Sequence, residues 1–391
     1  MTTGLEALLD APFEGDLDAS HHMFRAACAR FVRDEVAPHA HAWEEAEALP
    51  PDLWRRAADA GLLGPAFPQA LGGGGGDVLH LVVSTEALVR GGSVGVAAGL
   101  GSLEIALPPV LHLGTPAQQA ALVPPVLRGE RVAALCVTEP GAGSDVAGVR
   151  TTARRAGDGW ALSGSKLFVT SGVRADLLVV LARTGPDPHA GLSFFAVDKA
   201  TPGVTVSRAL QKTGWRASDT AELAFEDARL PADALLGPEG AAFGCLMQTF
   251  VRERLLLAAQ GHAIAQVCLE DALAHARRRE AFGRPIVGFQ VVRHKLADMA
   301  TRTLAAKGAV YRAAARLRDG ACSPAEAAAV KNLAGDVARE VSHEAVQVLG
   351  GMGYMRETRA ERLSRDARLL SIGGGTREVM NEVIARALVD A

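Results

Sequence analysis

Residues 135–145 read Leu-Cys-Val-Thr-Glu-Pro-Gly-Ala-Gly-Ser-Asp, an apolar run followed by a polar turn. Residues 132–137 are apolar and β-prone, so they predict a strand, and the two glycines of the turn let the backbone approach a ligand closely because they carry no side chain. The hydroxyl groups of Thr138 and Ser144 could bond a ring edge or a phosphate. The spacing lacks the third glycine of a dinucleotide fingerprint, and β-rich sequence follows instead of a helix. On its glycines alone, the stretch predicts a surface turn.

The complete undecapeptide resembles the flavin loop of the acyl-CoA dehydrogenases, and similarity to that family continues from about residue 20 to the C-terminus. The resemblance implies FAD as the cofactor. It implies, as the reaction, α,β-dehydrogenation of an acyl-CoA thioester to the trans-2-enoyl-CoA, with electrons passed to an electron-transferring flavoprotein. It also implies a homotetramer, a dimer of dimers with FAD at the subunit interface.

Length and composition agree with a large enzyme of this kind. A chain of 391 residues can bury a large core and should divide into two or three domains. The net charge of −3 argues against nucleic acid as a partner. No apolar run is long enough to span a membrane, and residues 1–10 lack the basic and apolar segments of a signal peptide. The five cysteines show no paired spacing, which favours free thiols and a cytoplasmic location.

Hydrophobic periodicity divides the chain into three parts. Residues 1–130 are predicted to form a helical domain, residues 131–236 a small β-barrel or sandwich, and residues 237–391 an antiparallel four-helix bundle. The predicted fold class is therefore α+β. This order of domains is also that of the acyl-CoA dehydrogenase fold.

Several conspicuous features are interpreted as structural. The glycine run at residues 72–76 is expected to be a flexible surface connection, because no strand precedes it. Glu139 is interpreted as structural, and Arg216, which could pair with Asp219, is given no catalytic role. No metal site is expected, and four N-terminal histidines are interpreted as surface residues: His21, His22, His39 and His41.

Glu253 is the first candidate for a catalytic residue. It lies on the same helical face as Phe250, Leu257 and Ile264, so its carboxylate points where apolar side chains point. Most acids in such a position belong to structural ion pairs, here with Arg254 or a distant arginine. In an apolar pocket, burial would instead raise the pKa of the carboxyl group, which suits a general base near neutral pH. The residue pattern alone leaves both interpretations open.

The resemblance favours the general base. Most of the family carries its catalytic glutamate two residues before the threonine of a Glu-Gly-Thr motif, and the matching residues 371–376 here place Gly374 at that position. The isovaleryl-CoA and long-chain branches carry the base in a Glu-Arg pair on the first bundle helix, which Glu253-Arg254 matches. The resemblance therefore implies that Glu253 removes the α-proton and that the backbone N–H of Gly374 stabilises charge on the thioester carbonyl oxygen. It places the substrate against Ser144, Phe250, Arg254 and Gly375.

Three further segments resemble the family's flavin-binding elements. Residues 166–171 resemble the second flavin strand, in which Phe168 would cover one ring face and Thr170 would bond near N5. The segments around Arg279 and Gln347 resemble those that reach the FAD of a neighbouring subunit. The implied cofactor-binding residues are Leu135, Cys136, Val137, Thr138, Gly143, Ser144, Phe168, Val169, Thr170, Arg279, Phe282, Gln290, Gln347, Gly350, Gly351, Thr376 and Glu378.

Alternative functions remain open at the level of sequence. On the same fold, the enzyme could act on acyl groups bound to a carrier protein, or it could be an oxidase that is reoxidised by oxygen. In a different class, the chain could be a flavin-binding paralogue that acts as a binding or regulatory module without turnover. The carboxylate at Glu253 argues against this last alternative, because an inactive site has no need to relocate its base.

Overall fold

The computed structural model describes residues 4–389, and the N-terminal part of that range is helical. Three of its helices begin at capping boxes, in which the side chains of Asp18, Asp77 and Thr115 accept backbone N–H groups of the first turn. The predicted helices between residues 20 and 128 are confirmed, as is the capping box at Thr115. The helices are α1 (Gly4–Leu9), α2 (Ala19–Phe31), α3 (Ala40–Ala46), α4 (Leu53–Asp59), α5 (Val78–Arg90), α6 (Val94–Leu100), α7 (Leu103–Ala106), α8 (Pro108–Leu113) and α9 (Pro116–Leu127).

The interpretation of His21 as a surface residue is wrong, because the structure buries it to 3 % exposure. Its Nδ1 accepts the N–H of Asp18 at 3.2 Å and its Nε2 lies 2.9 Å from Oδ1 of Asp77. His80 caps α5 in the same way, with Nδ1 accepting the N–H of Asp77. His21, Asp77 and His80 are close enough to share a metal ion. However, both Nδ1 lone pairs are already used, so we interpret the cluster as two linked helix caps. The other three histidines are exposed or half-buried.

The glycine run at residues 72–76 is also not the flexible connection that the sequence suggested. The N–H groups of its last four residues donate to carbonyl oxygens of the segment 64–68. A β-carbon on Gly73 would lie 2.4 Å from the carbonyl oxygen of Phe67. The run is therefore a turn packed against residues 64–68, and glycine is needed there because the two backbone segments approach so closely.

The middle part forms a mixed eight-stranded sheet in the order β6-β7-β3-β2-β4-β5-β8, with β1 parallel to β4. The strands that apolar or alternating runs predict over residues 132–137, 160–169, 177–182, 192–197, 204–210 and 221–225 are all present. The sequence did not indicate β2, which has one buried residue, Ala153, and reads Thr-Ala-Arg-Arg-Ala, so it lacks the alternation of a half-buried strand. The strands are β1 (Ala133–Cys136), β2 (Thr152–Ala156), β3 (Gly159–Thr170), β4 (Leu177–Arg183), β5 (Leu192–Asp198), β6 (Val204–Ala209), β7 (Thr220–Leu230) and β8 (Leu235–Leu236).

The C-terminal part is a bundle of long helices, as predicted. A short hairpin of β9 (Glu280–Ala281) and β10 (Arg284–Pro285) follows the first helix. Leu333 lies at helical spacing from Val330 and Val337 of the third long helix, which predicts a core position, but it is 40 % exposed. The short α13 was not predicted, because Leu363 is the one large apolar residue among its nine and gives no apolar periodicity. The helices are α10 (Ala242–Arg278), α11 (Gln290–Arg318), α12 (Pro324–Leu349), α13 (Arg359–Ala367) and α14 (Arg377–Val389).

A helix that spans a membrane needs a minimum length and an apolar composition. No single helix within residues 4–389 is long and apolar enough to cross a bilayer. Only the pair Val94–Leu100 and Leu103–Leu113, bent by 44°, reaches that length and composition when the two are taken together.

Candidate active site

A cavity of about 1130 Å³ opens where the N-terminal helices, the sheet and the bundle meet. One wall is apolar and comes from α5, α6 and α10, including Leu81, Leu88, Ala98 and Leu257. The opposite wall comes from the ends of β1 and β3 and from the loop after β1. Such a mostly apolar cavity with a few polar groups is typical of a small-molecule site.

A buried ion pair anchors the loop that follows β1. Glu139 is structural, as interpreted from the sequence, because its carboxylate accepts the N–H groups of Arg150 at 2.7 Å and Thr151 at 2.9 Å. The ammonium group of Lys166 donates to Glu139 at 2.8 Å and to the carbonyl of Val137 at 2.8 Å. Burial alone would raise the pKa of Glu139, but the Lys166 ammonium and the N–H donors hold it below its usual value. The pair therefore fixes the loop to β3.

The pair Arg216–Asp219, which the sequence allowed, does not form. Arg216 donates to Glu47 at 2.9 Å, and Asp219 instead pairs with Arg174. The difference arises because Asp219 also accepts the N–H of Val173, which lies after β3, whereas Arg216 faces the N-terminal helices.

The first set of predicted cofactor residues lines the cavity together, and alternation along the strands decides which side chains do so. Leu135, Val137 and Thr138 line it from β1 and its loop, followed by Gly143 and Ser144. Cys136 is fully buried in the core of the sheet on the other face of the strand, so only its backbone can reach a ligand in the cavity.

On β3 the alternation is interrupted by a register shift between Lys166 and Val169, and Leu167 lines the cavity next to Phe168. Phe168 and Thr170 line the cavity, whereas Val169 is buried in the sheet core. Phe168 has φ +60° and is 64 % exposed, so the chain holds a large aromatic ring towards the cavity in a left-handed backbone conformation. Such strain is found at functional sites. An exposed ring beside the hydroxyl groups of Thr138 and Thr170 fits the flat, polar-edged ring system of FAD.

Glu253 lines the same cavity from α10. Within residues 4–389 it forms no ion pair within 4 Å, so the alternative of a structural salt bridge is not supported. Its neighbour Arg252 pairs with Glu104, and the Arg254 guanidinium lies 5.5 Å from the Phe250 ring centroid. Burial raises the pKa of the Glu253 carboxyl group to about 7, and the positive charges of Arg254 and Lys331 oppose this shift.

The turn before α14 lies directly beside Glu253. Gly374 has φ +63° and Gly375 φ +102°. A β-carbon on Gly374 would lie 3.4 Å from Oε1 of Glu253 and 2.5 Å from Cδ1 of Leu257. The Glu253 carboxylate thus occupies space beside the position where a residue at 374 would carry its side chain.

In this turn the carbonyl groups of Gly374 and Gly375 have protein partners, whereas the N–H of Gly374 has none among the described residues. The carbonyl oxygen of Gly374 lies 3.4 Å from Nε of Arg254, and that of Gly375 accepts from Nζ of Lys331 at 2.5 Å. Thr376, which also lines the cavity, caps α14 by accepting the N–H of Val379. A free N–H next to a carboxylate with a raised pKa can serve a reaction that removes a proton and builds charge on oxygen.

A second set of predicted cofactor residues lies away from the cavity. Phe282 is 95 % exposed with φ +53°. None of this set lines the cavity, and all are exposed on the surface: Arg279, Phe282, Gln290, Gln347, Gly350, Gly351 and Glu378. The structure of one chain therefore does not bring the two sets together.

Lys331 was missed by the sequence analysis. It lies on the apolar face of α12, between Ala328 and Ala334, and is 1 % exposed. The sequence did contain one indication of its role, a lysine at a core position of an amphipathic helix. A lysine is seldom buried unless it has partners. Trp215 and Lys212, which also line the cavity, carried no comparable signal.

Comparison with known proteins gives matches along most of the chain. The family model described as "Acyl-CoA dehydrogenase, N-terminal domain" matches residues 18–130. The corresponding middle-domain model matches residues 134–228, and the C-terminal-domain model matches residues 242–389.

Individual relatives match over nearly their whole length. The mitochondrial long-chain specific acyl-CoA dehydrogenase of Mus musculus is 37 % identical over 396 residues, which cover 99 % of this chain and 91 % of the relative. The crystal structure of a probable acyl-CoA dehydrogenase from Mycobacterium abscessus has a TM-score of 0.94 and 45 % identity, covering 95 % of this chain and 100 % of that chain. A glutaryl-CoA dehydrogenase from Mycobacterium smegmatis, in complex with FADH2, has a TM-score of 0.93 and 26 % identity, covering 100 % of this chain and 99 % of that chain.

Proposed function

The chain belongs to the acyl-CoA dehydrogenase family, and we propose that Glu253 is the base with which it removes the α-proton of its acyl-CoA substrate. The family's reaction is the FAD-dependent conversion of an acyl-CoA to the 2-enoyl-CoA. The observation that carries the proposal is the position of the Glu253 carboxylate, inside the apolar cavity and 3.4 Å from the missing β-carbon of Gly374.

The environment of Glu253 suits a base. With its pKa raised to about 7, the carboxylate is a better proton acceptor than an exposed glutamate and is still largely ionised slightly above neutral pH. When a thioester binds, its α-proton passes to a carboxylate oxygen of Glu253 and the α,β double bond forms. FAD, when bound, supplies the acceptor for the hydride that leaves the β-carbon.

The backbone N–H of Gly374 supports the other half of the reaction. Charge grows on the thioester carbonyl oxygen as the α-proton leaves, and a fixed donor that is not already bonded can stabilise it. The turn brings this N–H to the same cavity as Glu253. We propose that Ser144, Phe250, Arg254 and Gly375 contact the substrate, since all four also line the cavity.

Flavin binding is assigned to two surfaces. Leu135, Val137, Thr138, Gly143, Ser144, Phe168, Thr170 and Thr376 line the cavity and would hold the ring system from this subunit. Arg279, Phe282, Gln290, Gln347, Gly350, Gly351 and Glu378 are exposed elsewhere and would meet the FAD of a second copy.

The two flavin-binding surfaces are the basis for a proposed assembly. We propose a homodimer or a dimer of dimers, supported by the exposed Phe282 ring in its left-handed backbone conformation. An electron-transferring flavoprotein is the proposed electron acceptor. A cytoplasmic location is supported by five free cysteines, four of them buried. The proposed domain boundaries remain residues 1–130, 131–236 and 237–391.

The test compares two carboxylates that line the same cavity. Glu253→Gln should retain FAD, since glutamine is nearly isosteric, but should slow anaerobic flavin bleaching by an acyl-CoA panel by at least about a thousandfold. Glu382→Gln is the matched control, because Glu382 lines the outer cavity and pairs with Arg386. Bleaching of Glu253→Gln at the parental rate would overturn the assignment of the base. Bleaching of the parent by no thioester would favour a non-catalytic flavin-binding protein.

A further inference from the structure

Lys331 is a buried cation without a place in the reaction described so far. Its side chain is 1 % exposed on α12, and its Nζ donates to the carbonyl oxygen of Gly375 at 2.5 Å. Its Cε lies 3.7 Å from the β-carbon position of Gly374, which is itself 3.4 Å from Oε1 of Glu253. The ammonium group therefore lies behind the turn that faces the base.

Burial of an ammonium group is costly unless charge and hydrogen bonds compensate for it. Lys331 has both compensations, the Gly375 carbonyl and the nearby Glu253 carboxylate. Apolar residues surround it on its own helix, where Ala328 and Ala334 are fully buried. Lys331 therefore interacts with the turn through a hydrogen bond and with Glu253 through its charge.

The turn itself needs such an attachment. Gly374 and Gly375 both have positive φ, and residues without a β-carbon do not restrict the backbone around them. Arg254 from α10 lies against the Gly374 carbonyl, and Lys331 from α12 binds the Gly375 carbonyl. Two cations on two helices thus hold successive carbonyl groups, which limits how the peptide planes on either side of Gly375 can rotate.

We propose that Lys331 is a positioning residue, which fixes the Gly374–Gly375 turn against the cavity and places a positive charge beside Glu253. The inference rests on the proposed role of Glu253 and extends it, because it names the group on α12 that orients the turn and tunes the base.

The electrostatic part has a defined sign. Burial lowers the pKa of Lys331 to about 8, so it is cationic at neutral pH. The charged groups that act on Glu253 are Arg254 from its own helix and Lys331 from α12, and both lower its pKa against the effect of burial. Without the Lys331 charge, one of the two interactions that lower the pKa of Glu253 is lost, while burial still raises it. The pKa of Glu253 then rises, and more of the base is protonated at neutral pH.

The experiment measures exchange of α-hydrogens with D2O, using the FAD-loaded enzyme and 3,3-dimethylbutyryl-CoA, whose β-carbon carries no hydrogen to lose. The pH at which exchange reaches half its maximum reports the base. In Lys331→Met this pH should rise by about one unit, and the maximal exchange rate should fall about tenfold because the turn is no longer held. Lys295→Met is the matched control, since Lys295 binds Glu344 of α12 at the surface.

Two further variants keep the test decisive if Lys331→Met folds poorly, as judged by FAD content and melting temperature. Lys331→Gln is neutral and should show the same upward shift, whereas Lys331→Arg keeps the charge and should leave the midpoint close to that of the parent. A midpoint that does not move in the neutral variants would overturn the proposal. Undiminished exchange in Glu253→Gln would instead overturn the proposed base, which separates the two failures.

Discussion

At the scale of single residues, Gly374 has no side chain, and the Glu253 carboxylate lies beside the position that such a side chain would take. Leu257 and Glu253, one turn apart on α10, fill the space next to Gly374. A glutamate could not be restored at 374 without moving both, and the positive φ of Gly374 disfavours any side chain there. These contacts support the proposed base on α10.

This arrangement predicts the effect of one methyl group. Gly374→Ala should lower the free energy of unfolding by about 1–2 kcal/mol, because an L-residue is held at φ +63°, and should slow α-proton removal because the new β-carbon crowds Glu253. Thermal melting and anaerobic flavin reduction measure the two effects. Gly244→Ala is the control, since its β-carbon would meet nothing within 4 Å inside α10, and it should be neutral or stabilising by up to about 1 kcal/mol. Equal melting temperatures for the two variants would contradict the argument.

The sequence could single out Glu253 as the candidate base, but it did not predict the contacts of Lys331. Glu253 sits in a motif with a recognisable partner, and the loss at Gly374 accompanies it. Lys331 depends on a contact between α12 and a turn 44 residues later in the chain, and helical periodicity carries no information about such a tertiary contact. For the same reason the sequence suggested the wrong partner for Arg216, whose acids, Glu47 and Glu45, lie in the N-terminal part.

At the scale of elements, the loop after β1 depends on β3 through Glu139 and Lys166. The loop contains a turn closed by hydrogen bonds between the backbones of Glu139 and Ala142. The Lys166 ammonium then joins this turn to the strand that presents Phe168 and Thr170. The loop and β3, which lie in the same wall of the cavity, are therefore joined by this ion pair.

Removal of one partner of the Glu139–Lys166 ion pair should disturb both the loop after β1 and β3. Lys166→Met leaves the Glu139 carboxylate buried without its cation, so the free energy of unfolding should fall by about 3 kcal/mol and FAD affinity should weaken. Melting temperature and fluorescence titration with FAD measure these changes. Lys199→Met is the control, because Lys199 binds only the Val173 carbonyl near the surface. If the Lys166 variant bound FAD as tightly as the control, the loop would not depend on this ion pair.

Hydrophobic periodicity predicts a helix or strand when one of its faces is buried and apolar. It does not predict an element whose position is set by backbone hydrogen bonds. The strands β3, β4 and β5 were predicted because their buried residues form apolar or alternating runs. By contrast β2 pairs between β3 and β4 with mostly polar side chains, and its position follows from backbone hydrogen bonds. Similarly, the glycine run 72–76 carries no side-chain pattern, and its packing depends on backbone carbonyls of residues 64–68.

At the scale of the whole molecule, a buried pair of acids joins all three parts of the chain. Asp366, on α13, accepts the N–H of Trp215 at 2.6 Å and that of Val94 at 3.1 Å. Glu44 lies close by and accepts the N–H of Ala217 at 3.2 Å. Burial and the neighbouring Glu44 carboxylate raise the pKa of Asp366 to about 7.

This shift predicts a pH dependence of stability with a definite sign. The carboxyl group of Asp366 ionises in the unfolded chain near its ordinary pKa of about 4, but in the folded chain only near 7. Its contribution is therefore complete below pH 4 and is lost as the pH rises towards 7. The melting temperature of the parent relative to Asp366→Asn should decrease over this range. Arg339→Gln, a surface change that affects an exposed pair with Asp336, should show no such trend. A difference that grows with pH would contradict the assignment.

The most direct test of the proposed base is exchange of substrate α-hydrogens with D2O, followed by mass spectrometry on 3,3-dimethylbutyryl-CoA. The parent enzyme should incorporate deuterium, with a rate that rises through a midpoint near pH 7, as expected from the raised pKa of Glu253. Glu253→Gln with full FAD content should incorporate essentially none, while Glu382→Gln should match the parent. Deuterium incorporation by Glu253→Gln at the parental rate would show that another group removes the proton.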